Sequence, residues 1–336
     1  MGGGAAASGH SSAPSSARGS HGGGRGEPSR RRGPAARGGS RLRDRAAAIA
    51  MILPSLIAIA VFVYGFVAWT GFVSLTRWND VLPNYAWGGL RAYADLFASF
   101  RFRIDMLNTA KFTAAFLSGC LVLGFSLALL LERSLAGESL FRTIFLAPLA
   151  ISFIVSGVVW RWLLNPGSEQ MGSVGINLLL DRAHLGFLKT GWYTDPRIGI
   201  LAVALAATWQ LSGYTMTLYL AGLRGIPDEL REAARVDGAG EWQLYRRVLI
   251  PLLQPVTLSA VIILGHISLK IFDLVVAMTG SGPGFSSDVP AYFMFDTTFR
   301  GNHFAQGAAI AEILLVLVAL LTIPYLVYST RAEVER

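Results

Sequence analysis

The chain has 336 residues, 53% of them hydrophobic and only 15% charged, with a mean hydropathy of +0.48. Soluble domains carry about a quarter charged residues, so the composition excludes an ordinary soluble enzyme and points to an integral membrane protein. The formal charge of +8 comes mostly from arginines in the first 45 residues rather than from a folded basic face, and a lone cysteine, Cys120, excludes an intrachain disulfide.

Residues 1–45 are rich in Gly, Ala, Ser and Arg and hold almost no large apolar side chains. Such a segment cannot bury enough surface to offset its chain entropy, so it is expected to be a disordered basic cytoplasmic tail. Arg30, Arg31 and Arg32 are expected to meet anionic membrane lipid rather than nucleic acid. The first apolar run starts too late and is too long for a cleaved signal peptide.

About 20 mostly apolar residues cross a bilayer as a helix. Six stretches qualify, at approximately 47–75, 107–131, 139–164, 198–223, 255–279 and 305–330, and together they make a membrane domain over 46–330 with a short cytoplasmic tail at 331–336. Pro54, Pro148 and Pro324 fall inside spans, where neighbouring helices re-satisfy freed carbonyls. With the N-terminus inside, cytoplasmic segments carry roughly eighteen Lys and Arg against roughly nine outside. The expectation is an all-α, multi-pass protein of six transmembrane helices in a cell membrane, with both termini cytoplasmic. In the external segments 77–97 and 165–196, and near the span edges, Trp78, Trp87, Trp160, Trp162 and Trp192 suit an interfacial aromatic belt.

One cytoplasmic loop, 224–254, is too elaborate for a plain connection. Pro227 can start a helix, Asp228 and Glu229 suit its positive end, and Gly238 can end it in the left-handed conformation. A second helix is expected from Glu241, with Trp242, Tyr245 and Leu249 as its apolar stripe and Pro251 as its stop. From pattern alone, this hairpin is either a knob for a partner or an amphipathic loop lying on headgroups.

The segment Glu232-Ala233-Ala234, three residues, Gly238, nine residues, then Val248-Leu249-Ile250-Pro251 resembles the EAA loop of bacterial ABC importer permeases. The family form is EAA-x3-G-x9-I-x-LP, so Val248 and Ile250 are conservative departures. The lead-in over 221–239 resembles the sugar-transporting branch, and the likeness runs from about residue 46 to the C-terminus. It implies the type I ABC importer permease fold and a hairpin that docks on a separate ATPase. The coupling set carried over is Glu232, Ala233, Ala234, Asp237, Gly238 and Pro251: Glu232 as the docking acid, Gly238 as the turn, and the alanines for close approach. Implied partners are a second permease in a heterodimer, two ATP-binding subunits that hold ATP and Mg, and an extracytoplasmic solute-binding protein.

None of the three lysines, Lys111, Lys189 and Lys270, follows a glycine, so the phosphate-cradling GxxxxGK[ST] loop is absent. No metalloprotease, serine-hydrolase or paired-cysteine pattern occurs either, so neither an enzyme, a cofactor nor a metal is expected in this chain.

Ionisable groups within spans are costly and usually face a cavity or one another. Read as continuous helices rising 1.5 Å per residue, the spans place Gln210 roughly 20 Å, Lys270 roughly 22 Å, and Asp273 and Glu312 roughly 25 to 27 Å above their cytoplasmic ends. His266 would lie one turn below Lys270, and Trp209 could cover a sugar ring. The expectation is one polar layer of Trp209, Gln210, His266, Lys270, Asp273 and Glu312 along a solute path. The alternative is an ion pair of Lys270 with Asp273 or Glu312. The segment 263–299 resembles sugar permeases in Phe272, Asp273, Thr279, Gly280, Gly282 and Pro283, with Ser281 in place of the usual middle glycine. The resemblance implies a monosaccharide such as glucose, with glycerol phosphate or an oligosaccharide as other cargoes. An ion-gradient-driven transporter is the rival class, and it leaves the hairpin unexplained.

Overall fold

The computed structural model describes residues 38–132, 137–168, 170 and 172–334, with side chains described over 49–327 of that range. Among the described residues every regular element is helical, apart from two isolated bridges, Thr76 to Trp87 and Ser168 to Gly172. The chain divides into two units, Met1–Ile59 and Ala60–Arg336.

In the first unit, α1 runs over Gly38–Ile59 with Pro54 inside it. Residues 1–37 of the expected tail lie outside the described residues. The helix nevertheless begins at Gly38, ahead of the expected boundary, because Arg41 to Ala48 is a run of good helix formers and extending a helix is far easier than starting one.

The second unit opens with a π-helical turn, Ala60–Gly65, then α2 (Phe66–Ser74), α3 (Arg91–Ala98), α4 (Phe100–Glu132), α5 (Glu138–Leu146), α6 (Phe153–Leu163), α7 (Gly175–Arg182) and α8 (Gly199–Arg224). The hairpin follows as α9 (Asp228–Val236), α10 (Glu241–Leu244) and α11 (Ile250–Leu252); then come α12 (Gln254–Leu269), α13 (Asp273–Met278), α14 (Pro290–Phe295) and α15 (Phe304–Val334). The last helix thus continues through most of the tail expected at 331–336, of which 335–336 lie outside the described residues.

Three stretches are unbroken, apolar and long enough to cross a membrane: Ile49–Ser74, Phe100–Glu132 and Phe304–Val327. Three more are bent pairs, Glu138–Ala150 with Phe153–Leu163 at 99°, Gly186–Thr194 with Gly199–Arg224 at 95°, and Glu241–Leu252 with Gln254–Leu269 at 62°. Among the described residues, counting each pair once gives up to six by length and apolarity.

Two expected spans are not continuous, the first at one of these bends and the second at a separate break. The stretch 139–164 breaks where Pro148 sits in the tight turn Ala147–Ala150, and α6 restarts with Ser152 accepting from Val155 N–H at 3.3 Å. The stretch 255–279 breaks at Lys270 to Phe272, and α13 starts afresh with Asp273 at its positive end. The two restarted helices pack on each other. A Cβ on Gly157 of α6 would stand 2.7 Å from the Ala277 Cβ and 3.1 Å from the Leu274 carbonyl, so only glycine permits this approach.

The core is strung along α4 and α8. Phe112, Phe116 and Cys120 of α4 meet Val203, Ala207 and Leu211 of α8, joined by Leu274 and Met278 of α13. Nearer the hairpin, Leu131, Met216 and Leu223 pack with Leu244, Leu249 and Leu253. Meanwhile Val122, Leu130, Val158, Val316, Leu320 and Ile323 are exposed, an apolar surface that suits lipid rather than water.

Candidate functional site

The hairpin forms as its sequence dictates. Asp228 and Glu229 occupy the first turn of α9 and Arg235 the last, complementing its dipole. Gly238 takes φ +81°, and Ala239 N–H reaches back to the Ala234 carbonyl at 3.0 Å, closing the helix in a left-handed C-terminal motif. An exposed ion pair, Arg235 to Glu241 at 3.1 Å, spans the turn.

Its second arm departs from expectation. Tyr245–Leu249 is a π-helical turn, which shifts the register by one residue. The buried stripe is therefore Leu244, Leu249 and Leu253, while Trp242 is 74% exposed. Pro251 stops nothing. It lies inside the helical run Glu241–Leu252, just after the π-helical turn, and the chain bends two residues later at Leu253.

Of the coupling residues, Glu232, Ala233, Asp237, Gly238 and Pro251 are exposed, and only Ala234 is partly buried, against the core nearest the hairpin. Among the described residues Glu232 and Asp237 form no ion pair. The same helix is gripped from behind. Arg231 meets Glu132, the last residue of α4, at 2.5 Å and donates to the Leu223 carbonyl near the end of α8 at 3.0 Å. Glu138 of α5 holds Arg224 at 2.6 Å and Arg142 at 2.5 Å.

The continuous helices from which one layer of the six path residues was expected are interrupted past Leu269. Gln210 is buried, and its amide donates to the Ile151 carbonyl at 2.6 Å, at the break between α5 and α6. Trp209 is part exposed and meets Trp160 edge-on, with ring centroids 5.8 Å apart. His266 lies in α12, but Lys270 falls at the break and Asp273 beyond it, so the continuous-helix depths fail past Leu269. Lys270 and Asp273 are exposed and Glu312 partly buried. Among the described residues none of the three forms an ion pair within 4.0 Å, which corrects the expected pairing of Lys270 with Asp273 or Glu312.

The motif turn after α13 explains its own departure. Gly280 and Gly282 adopt φ +59° and +68°, whereas Ser281 between them is not in the left-handed region. A side chain is therefore allowed at the middle position, and a Cβ on Gly282 would collide with Ser287.

A cluster at the opposite end of α4 went unread in the sequence. Arg101 bonds Asp288 at 2.7 Å and Asp296 at 2.8 Å, with its guanidinium over the rings of Phe285 and Phe293. Asn108 donates to the Phe285 and Asp288 carbonyls at 2.7 and 3.0 Å. Burial pushes the Asp288 carboxyl above its ordinary range, while Arg101 and the Val289 N–H pull it back. Arg101, Asp105 and Asn108 share one helix face by spacing, which was the available signal. In the 165–196 segment, Trp192 donates to Asn177 at 2.8 Å, so it is built into the fold rather than free in a belt, as is Trp78, stacked on Phe304 at 4.6 Å. Lys189 and then Ser173 hold the nearby Asp181 carboxyl below its usual range.

A family model described as the binding-protein-dependent transport system inner membrane component matches residues 120–332, which include both breaks and the whole hairpin. The chain belongs to this family. A probable ABC transporter permease protein of Pyrococcus horikoshii is 42% identical over 285 residues, covering 85% of this chain and 96% of that one. The xylose/arabinose import permease protein XacH of Haloferax volcanii is 35% identical over 275 residues, covering 81% and 84%. A solved bacterial alginate ABC transporter, in complex with an alginate pentasaccharide-bound periplasmic protein, aligns with TM-score 0.70 at 20% identity over 85% of this chain and 96% of that chain. At that identity the likeness establishes the fold alone, that of an ABC importer permease. ABC permease subunits are membrane components and are themselves non-catalytic.

Proposed function

We propose that this permease forms part of the translocation path of an ATP-driven sugar importer and is worked from the cytosol through the hairpin 224–254 by ATPase subunits that carry ATP and Mg. The observation that carries the reading is the two-sided character of α9. Its Glu232 edge is exposed and forms no ion pair among the described residues, while Arg231 on the same helix is tied into α4 and α8. A surface free on one side and braced on the other can pass a push from a docked subunit to the spans.

The full assembly in this reading has a second permease, two ATP-binding subunits and an extracytoplasmic solute-binding protein. Closure of the two ATPases moves two such hairpins and rocks the spans between outward-open and inward-open states. The sugar passes Trp209, His266, Lys270, Asp273 and Glu312, while Gln210, spent on the Ile151 carbonyl, holds the break beside them. Lys270 and Asp273, exposed at the break without ion partners, are the groups most free to meet hydroxyls. The finer cargo is a monosaccharide such as glucose. The segment 263–299 supports it, and the xylose/arabinose relative supports the sugar class.

Glu232→Lys in the assembled importer should abolish binding-protein-stimulated ATP hydrolysis while membrane insertion stays normal; undiminished stimulation would remove Glu232 from docking. Uptake of glucose, xylose, maltose and glycerol phosphate by the same complex sorts the cargo. Accumulation driven by an ion gradient, with this chain alone in liposomes, would defeat the mechanism itself.

A further inference from the structure

The loop joining α4 to α5 is bracketed by two carboxylates, and both are committed to arginines from the hairpin side. Glu132 closes α4 and takes Arg231 of α9; Glu138 opens α5 and takes Arg224 from the end of α8. The two pairs differ in burial. Side-chain exposures are 15% and 12% for Arg231 and Glu132, against 45% and 24% for Arg224 and Glu138. Arg231 also spends a guanidinium N–H on the Leu223 carbonyl at 3.0 Å. One side chain thus fastens α9 to the ends of two long helices at once.

Those two helices are themselves a unit. A Cβ on Gly124 of α4 would stand 2.6 Å from the Thr215 Cβ of α8, and the two share the main core cluster. Any displacement of α9 that preserves the Arg231 contacts must carry α4 and α8 with it. A surface ion pair would slip under load, because water replaces either partner at little cost. A desolvated pair does not, since each charge is stranded when the other leaves.

We propose that the Glu132–Arg231 pair is the joint through which hairpin movement reaches α4 and α8, a positioning role separate from the docking role of Glu232. The proposal rests on the reading that an ATPase docks on the hairpin. It assigns Arg231 to transmission and its sequence neighbour Glu232 to contact, because adjacent helical residues point about 100° apart.

The test uses the assembled importer in liposomes, with Glu132→Gln, Arg231→Gln and the exchanged pair Glu132→Arg with Arg231→Glu. Retained ATPase subunit, ATP hydrolysis and uptake of radiolabelled glucose and xylose are measured on equal amounts of complex. Each single variant should keep its ATPase subunits and hydrolyse ATP, yet move at least tenfold less sugar per ATP. The exchanged pair should recover at least a third of that ratio, which a merely destabilised chain would not do. Unchanged sugar per ATP in both single variants overturns the joint alone. So does loss of ATPase subunits from them, which would make the pair a docking element, and so does an exchanged pair no better than its singles. A wild-type complex that retains no ATPase overturns the docking reading and the joint together.

Discussion

Replacing Arg101 by methionine should destabilise the end of the permease remote from the hairpin, and the size follows from what it leaves behind. Asp288 has a fully buried side chain and loses the one cation paired with it among the described residues, while Asp296, at 28% exposure, can turn to water and to Arg300. Stranding one buried carboxylate costs about 3–5 kcal/mol. Lost contact with the faces of Phe285 and Phe293 adds about 1 kcal/mol, partly recovered by the methionine side chain. For a chain of this size each kcal/mol lowers the midpoint by about 2–4 °C, so a fall of about 10 °C is expected near pH 8. The deficit should shrink on acidification. The folded-state carboxyl of Asp288 already titrates above its unfolded value through burial, and removing Arg101 takes away the largest opposing influence. A carboxyl with a raised folded pKa favours folding below its unfolded pKa and loses that contribution as pH rises through the folded pKa. The groups facing it are Arg101, Asp105, Asp296 and the Val289 N–H, with Arg300 behind Asp296. Buried Asp105 is itself a carboxyl and brings no positive charge to replace the lost cation. Thermal unfolding in detergent at pH 5 and pH 8, with Arg101→Lys as companion, measures this. A deficit below about 1 kcal/mol at pH 8, or one that grows on acidification, would refute the reasoning.

Gln210→Leu removes the amide that holds the Ile151 carbonyl, so stability should drop by about 1–3 kcal/mol with sugar preference unchanged; a shifted preference at full stability would instead put Gln210 against the solute. Gly282→Ala forces a side chain into left-handed backbone against Ser287 and should cost about 2 kcal/mol, whereas Ser281→Gly should change the midpoint by less than about 0.5 kcal/mol. Equal effects at the two positions would show that the turn does not have this geometry. Lys270→Ala, at a site with no ion partner to strand, should leave the melting curve intact and alter maximal uptake or the order of sugars. Unchanged uptake across a panel removes Lys270 from the path.

The hairpin was the most legible part of the chain, because its signals are local. Pro227, the acids that follow and Gly238 each act on their own neighbours through capping, dipole and left-handed backbone. Its second arm was misread at Trp242 because a π-helical turn leaves no composition signature, and one extra residue per turn is enough to rotate a stripe away. The spans were countable for a different reason. Apolarity measures how much chain can lie in lipid and is blind to whether that chain is one helix or two. Pro148 was visible, yet prolines inside spans are often tolerated. At the second break no Gly or Pro exists at all. The sequence Leu269-Lys270-Ile271-Phe272-Asp273 offers only its charges, and they served as depth markers on a helix that had already ended.

That misreading carries its own lesson about polar residues in spans. A break leaves backbone groups without helical partners, and in lipid each must be satisfied or face water. At the first break, the α8 side chain Gln210 reaches across to the Ile151 carbonyl, so its polarity is consumed by the fold. At the second, Ile271 N–H finds Ser268 and Val276 N–H finds Phe272 within the segment, so the charges of Lys270 and Asp273 are not needed to close it. The restarted helices α6 and α13 then bury their contact at Gly157, which brings the two breaks into one packed unit. Polar groups at this unit divide by whether the backbone claims them. Gln210 is claimed and therefore structural. Lys270 and Asp273 are exposed, form no ion pair among the described residues and are not needed by the backbone, so the fold itself does not account for their charges.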